Sequence, residues 1–233
     1  MERELSWVAD GQARVEQAVL ELDDLGGLSR LPGWTRGHVV THLARNAEGL
    51  SRLLTWARTG IETRMYLSSQ ARNADIEAGA GRPQAEQLND LRRTGTAFAA
   101  AAQELSAQHW EATVATRSGP LPASAVPWLR VRELWLHLVD LDAGVEIDVM
   151  PEDAAIRLVR EVAEWLHSRV STRVELQLPG QEQVIFGPET AVAVPVSGPV
   201  QSLAAWLTGR SSGPTTENRL TAPDGLPELP SWI

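Results

Sequence analysis

Apolar residues recur at three- and four-residue intervals through most of positions 3–141 and at alternate positions after 172, which predicts a helical first part and a mixed second part. Leu5, Val8, Val15, Ala18, Val19 and Leu22 share one side of a helix predicted over 3–25, with Gly26-Gly27 as its stop. After a loop at Pro32-Gly33, Thr35 fits an N-cap. His38, Val39, His42, Leu43, Ala47, Leu50 and Leu54 then mark a second helix that stops near Gly60. Residues 61–82 read as a connector. A third helix is expected from Pro83, a residue suited to a first turn, through the alanine-rich "TAFAAAAQEL" to Ser106. Residues 113–123 suggest a loop or short hairpin, and a fourth helix follows over 124–141 despite Pro127 near its start. Four amphipathic helices predict a bundle.

Beyond Gly144 the texture changes. A helix over 151–168 precedes the alternating segment "RVELQL", a Pro179-Gly180 turn, "EQVIFG" and the strand-like "TAVAVPVSG", which together read as a small antiparallel sheet. A helix returns over 199–209, and an irregular, proline-rich tail is expected from Ser211. The expected fold class is α+β, with a helical bundle over 1–148 and a smaller α+β domain over 149–233.

Composition narrows the chemistry. With no cysteine among 233 residues, the chain forms no disulfide, no thiolate metal site and no cysteine nucleophile, so sulfur chemistry must come from a bound thiol. A formal net charge of −9 with scattered arginines argues against nucleic acid as a partner. No apolar run approaches the ~20 residues of a membrane span, so no membrane partner is expected. The N-terminus "MERELSWVADGQARVEQ" lacks the apolar stretch of a signal peptide, which makes the cytoplasm the expected compartment. A monomer is the working expectation for assembly.

The second and fourth predicted helices carry metal-capable residues where a bundle would otherwise place apolar ones. His38 and His42 are four apart on the second, and "RVRELWLHLVDLD" sets Glu133 and His137 four apart on the fourth. At ~100° per residue each pair points to one side of its helix, so two facing helices can aim all four side chains at one point. Imidazole nitrogen and carboxylate oxygen suit zinc, and a catalytic zinc keeps three protein ligands and one open position. The other reading is a metal-free core in which each histidine is satisfied by hydrogen bonds to its neighbours. Asp140, three beyond His137, either orients a ligand or takes a proton, or else is a solvated surface group. Trp34 and Trp135 are candidates for pocket walls.

The segments "GWTRGHVVTHLARNAEGLSRLL", "TWARTG", the "MY" and "ARN" of the connector, "RVRELWLHLVDLDAG" and "VSGPVQSLAAWLTGR" resemble the mycothiol-dependent maleylpyruvate isomerase family over nearly the whole chain. The resemblance implies a DinB-like four-helix bundle joined to a C-terminal α+β domain similar to sterol carrier proteins. It also implies a catalytic zinc held by His42, Glu133 and His137, with His38 left as a supporting or core residue. Arg72 and Arg210 match arginines of the family and on that resemblance would clamp substrate carboxylates.

The implied cofactors are zinc and mycothiol, and the partners are a small-molecule substrate and this low-molecular-weight thiol. In the implied reaction the thiolate adds to the cis double bond of maleylpyruvate, the new single bond rotates, and elimination leaves fumarylpyruvate for gentisate-type aromatic catabolism. A DinB-like thiol S-transferase acting on electrophiles would begin with the same attack. A third reading, a non-catalytic bundle with a lipid- or partner-binding C-terminal domain, requires the histidine and glutamate cluster to be a metal-free core.

Overall fold

The computed structural model describes residues 1–178, 180–211, 219–223 and 225–232, which fall into two compact units, 1–145 and 146–233. In the first unit, helices α1 (Glu2–Glu21), α2 (Arg36–Thr59), α4 (Gln84–Gln103) and α6 (Val126–Asp140) form the bundle. Helix α2 packs on α4 and α6, and α1 closes the ring against the same two helices. The apolar stripe that predicts α2 is buried, with Leu43, Ala47, Leu50 and Leu54 fully enclosed. Its ends are set locally: the Thr35 side chain accepts from the His38 N–H, and Gly60 takes the left-handed conformation at φ 72° that most residues avoid.

Two boundaries differ from the sequence pattern. Helix α1 ends at Glu21, short of the predicted residue 25, because the Asp24 carboxylate accepts from the Gly27 N–H at 2.9 Å and turns the chain early. The predicted connector contains a further helix, α3 (Ser69–Ala80), whose N-cap Ser68 accepts from the Ala71 N–H at 3.0 Å. Only Ile76, Gly79 and Ala80 of α3 are buried, too few for an apolar period to reveal it. It approaches α2 backbone to backbone, where a Cβ on Gly37 would collide with the Ala80 carbonyl and one on Gly79 with Thr41. A short helix, α5 (Ala107–Trp110), leads to the hairpin of β1 (Thr113–Thr116) and β2 (Gly119–Pro122).

The second unit comprises α7 (Glu152–Leu166), β3 (Arg173–Gln177), β4 (Val184–Phe186), β5 (Ala193–Ser197) and α8 (Val200–Leu207). Its sheet has the order β4-β3-β5 and is mixed, where the sequence predicts it antiparallel. The β3–β4 pair is antiparallel, but β5 runs parallel to β3 on the opposite edge. Alternation fixes which face of a strand is buried; it does not fix which edge the strand joins. The crossing to that edge is tight: Gly187, at φ 92°, lies against the Thr172 carbonyl, leaving no room for a Cβ. Pro179 of the predicted turn and residues 212–218 of the predicted tail lie outside the described residues. Among the described residues no helix is long and apolar enough to cross a membrane.

Candidate metal centre

Helices α2 and α6 bring His42, Glu133 and His137 together: one ligand atom from each lies within 4.8 Å of the others. His42 Nε2 is 2.7 Å from Glu133 Oε2, and His137 Nε2 is 3.3 Å from the same oxygen. Tetrahedral ligands ~2.1 Å from zinc stand about 3.4 Å apart, so the His137–Glu133 spacing already suits a metal. The His42–Glu133 spacing is that of a hydrogen bond. Behind the cluster, His137 Nδ1 donates to the buried Asp140 carboxylate at 2.8 Å, which leaves Nε2 facing Glu133. Asp140 is thus buried and bonded to His137, not solvated.

The electrostatics favour the ligand forms of His42 and Glu133, whereas His137 is a stronger base whose proton a metal would displace. Burial pushes the His42 pKa down to about 4 against the pull of the Glu133 carboxylate, so the ring is neutral at pH 7. Burial opposes ionisation of Glu133, but the charges and hydrogen bonds of His42 and His137 outweigh it and hold the carboxyl well below its ordinary value. Burial also lowers His137, yet the hydrogen bonds and charges of Asp140 and Glu133 together raise its pKa above the ordinary value. Two imidazoles, one carboxylate and an orienting carboxylate form a donor set that fits zinc with a position left open.

Arg72, from α3, donates through Nη2 to His42 Nδ1 at 3.0 Å. That makes Nδ1 the acceptor and puts the proton of the neutral ring on Nε2, where it is donated to Glu133. Arg72 also lines an open cavity of about 670 Å³ together with Arg52, Arg64 and Tyr66. His38 serves the backbone: its Nδ1 accepts from the Thr35 N–H at 3.1 Å, completing a capping box. Trp34 packs against both histidines, 5.6 Å from the His42 ring. Trp135 instead points at α1, where its Nε1 donates to the Trp7 carbonyl at 3.1 Å. Arg210 belongs to the second unit, just beyond α8, with Nη1 donating to the Thr208 carbonyl at 2.9 Å.

A description of the mycothiol maleylpyruvate isomerase N-terminal domain matches residues 6–142, and one of the C-terminal domain of the same enzymes matches residues 149–231. The chain belongs to the mycothiol maleylpyruvate isomerase family. A crystal structure of mycothiol-dependent maleylpyruvate isomerase is similar at a TM-score of 0.89 and 32% identity, over 99% of this chain and 96% of that one. A histidine-to-alanine mutant of such an isomerase is similar at the same TM-score and 31% identity, with the same coverage. No curated protein matches the chain. The family is one of enzymes, and the fold of this member, a mostly helical first unit with a small α+β second unit, is the maleylpyruvate isomerase fold.

Sequence reasoning passed over two residues beside the cluster. Arg130 is wholly buried and donates to the Leu43 carbonyl, Asn46 and Gln12, tying α6 to α2 and α1; burial lowers its pKa to about 10, so it stays charged. It lies three residues before Glu133, and that spacing was the available signal. Tyr66 stands on the connector between α2 and α3, where no periodicity marks it and its place in the "MY" of the resemblance was the available signal.

Proposed function

We propose that the chain is a zinc- and mycothiol-dependent cis-trans isomerase that converts maleylpyruvate to fumarylpyruvate. The observation that carries this reading is the convergence of His42, Glu133 and His137 with Asp140 behind them, in a chain matched to the family over both units. When bound, zinc and mycothiol together supply a sulfur nucleophile whose proton is readily lost, which a chain without cysteine does not have.

The protein's own residues then have distinct tasks. His42, Glu133 and His137 are the proposed ligands, and Asp140 keeps the His137 proton on Nδ1 so that Nε2 stays available. For His42 Nε2 to become a ligand its proton must move to Nδ1, and Arg72 then gives up its bond there because two donors cannot share it. The released guanidinium would then hold a substrate carboxylate, a role supported by its place in the lining of the cavity. Arg210 is proposed as a second carboxylate-binding group, supported by the family match of the second unit. A cytoplasmic setting, where thiols are kept reduced, fits the requirement for a free thiol, and gentisate-type catabolism is the proposed source of the substrate.

The test is a coupled spectroscopic assay on maleylpyruvate with gel-filtered, tag-free protein. Turnover should require both zinc and added mycothiol. Undiminished turnover without thiol would remove the mechanism, and build-up of a thiol conjugate without isomerisation would favour the S-transferase reading.

A further inference from the structure

We infer that Tyr66 is a further catalytic residue of the proposed isomerase: its phenolic O–H donates a hydrogen bond to the substrate oxygen on which negative charge develops. This rests on the isomerase reading and deepens it.

The geometry is unusual for a structural tyrosine. The Tyr66 hydroxyl is closed to water and forms no well-directed hydrogen bond; the Arg72 guanidinium is near enough to interact with it only weakly. A buried hydroxyl normally finds one, since leaving it unpaired costs about 1–3 kcal/mol. This hydroxyl lies within electrostatic reach of the Glu133 carboxylate, of Arg72, which bonds His42, and of the buried Arg130. Its ring is 5.9 Å from the Arg72 guanidinium carbon, and both side chains line the same open cavity. The group beside the hydroxyl is therefore a long, movable side chain, the one that leaves His42 when Nε2 becomes a ligand. Once Arg72 moves toward the cavity, the hydroxyl becomes reachable by a molecule that bridges cavity and metal.

The chemistry of the reaction calls for such a donor. Addition of a nucleophile to the double bond of a conjugated enone moves electron density onto the carbonyl oxygen, and a donor fixed there beforehand lowers the barrier without reorganisation. Burial and the Glu133 charge push the phenol pKa up, against Arg72, so the O–H keeps its proton at neutral pH. A donor that already meets the carbonyl oxygen of bound substrate or product gains most when the charge on that oxygen grows in the transition state.

Tyr66 is the sole tyrosine of the chain, so a tyrosine-selective probe reads it alone. The zinc-loaded Tyr66→Phe variant should lose on the order of a hundredfold in kcat, with zinc content unchanged. Its melting temperature should stay close to or above that of the wild type, because no well-directed bond in the resting protein is removed. In wild-type protein labelled at the tyrosine ζ-carbon, saturation with fumarylpyruvate in the absence of thiol should shift the single resonance. A kcat within twofold of wild type, or an unmoved resonance, overturns the inference. A clear fall in melting temperature also overturns it, by exposing a structural bond. If the wild type itself does not isomerise, the functional reading fails and takes this inference with it; an active wild type with an equally active variant sinks Tyr66 alone.

Discussion

Helix α2 presents one charged cluster to α4 and another to α6, and the two differ in what their cations can do. Toward α4, the Asp90 carboxylate is held by Arg82 at 2.8 Å and Arg45 at 2.6 Å on one oxygen and by Arg93 at 2.7 Å on the other. Glu48 pairs with Arg93 at 3.0 Å and completes a network in which both oxygens of Asp90 are occupied. Toward α6, one oxygen of Glu133 is shared by two imidazoles. A guanidinium never gives up its proton near neutral pH and cannot ligate a metal; an imidazole can do both. Closeness of opposite charges is common to the two clusters, and proton lability separates them. The first is a clasp between helices and the second a candidate site.

The sharpest way to break this comparison is to remove a ligand. His42→Ala should lose most of its zinc and lower activity by more than ~100-fold, while the circular-dichroism spectrum stays helical. Elemental analysis reads the metal directly, and full retention would show that the α6 cluster is another clasp. Next in size is Asp140→Asn, which keeps the shape but weakens the hold on the His137 Nδ1 proton. A tenfold to hundredfold loss of zinc affinity is expected, the usual scale for a carboxylate behind a histidine ligand. Competition with a chromogenic chelator measures it.

Removing the clasp should move stability and nothing else. Asp90→Asn removes the charge that three arginines share, but these reach solvent and Arg45 and Arg93 keep Glu48, so a loss of ~1–2 kcal/mol is expected with zinc content unchanged. Burial raises the Asp90 pKa, yet the hydrogen bonds of Arg82 and Arg93 and the Arg45 charge bring it below the ordinary 3.8. A depressed acid stabilises the fold in full above its unfolded value and loses that contribution as pH falls through the folded value. The gap between wild type and Asp90→Asn in urea unfolding should therefore shrink below pH 3.8. A gap that widens on acidification would mean that Asp90 is not the anion of the network.

How far the sequence announces these features depends on whether they are periodic. Helix α2 is legible because Leu43, Ala47, Leu50 and Leu54 repeat at helical spacing between an N-cap threonine and a C-terminal glycine. Glu133 and His137 are legible for the same reason, being one turn apart on a helix with a clear stripe. Helix α3 is hidden because a close backbone approach at Gly37 and Gly79 replaces an apolar face. The parallel placement of β5 is hidden because pairing partners are not written in alternation. Tyr66 falls in the "MY" of the resemblance, but the state of its hydroxyl is hidden, because burial without a well-directed bond exists only once the surrounding chain has closed over it. The metal-capable side chains can be counted in the sequence, but their proton bookkeeping, with Arg72 on one nitrogen of His42 and Glu133 on the other, is tertiary.

The smallest expected effect decides between the two histidines of α2. His38 sits one turn before His42, and spacing alone makes either a ligand. In the structure its Nδ1 lone pair accepts from the Thr35 N–H, and its Nε2 faces the exposed Glu77 carboxylate at 3.4 Å, outside the Glu133 cluster. Truncation in His38→Ala removes the ring's bonds to the Thr35 N–H and hydroxyl, its exposed contact with Glu77 and some stacking on Trp34, for a cost of ~0.5–1 kcal/mol. For a chain of this length that is about 1–4 °C in melting temperature. Glutamine is a usual partner of threonine in this capping arrangement, so His38→Gln should recover much of the loss although it has no imidazole. Both variants should keep their zinc. Loss of metal from His38→Gln at normal stability would mean that the ring acts as a ligand and that the wrong histidine has been chosen. Equal metal content with graded melting temperatures would leave His42 as the α2 donor and His38 as the residue that starts the helix beneath it.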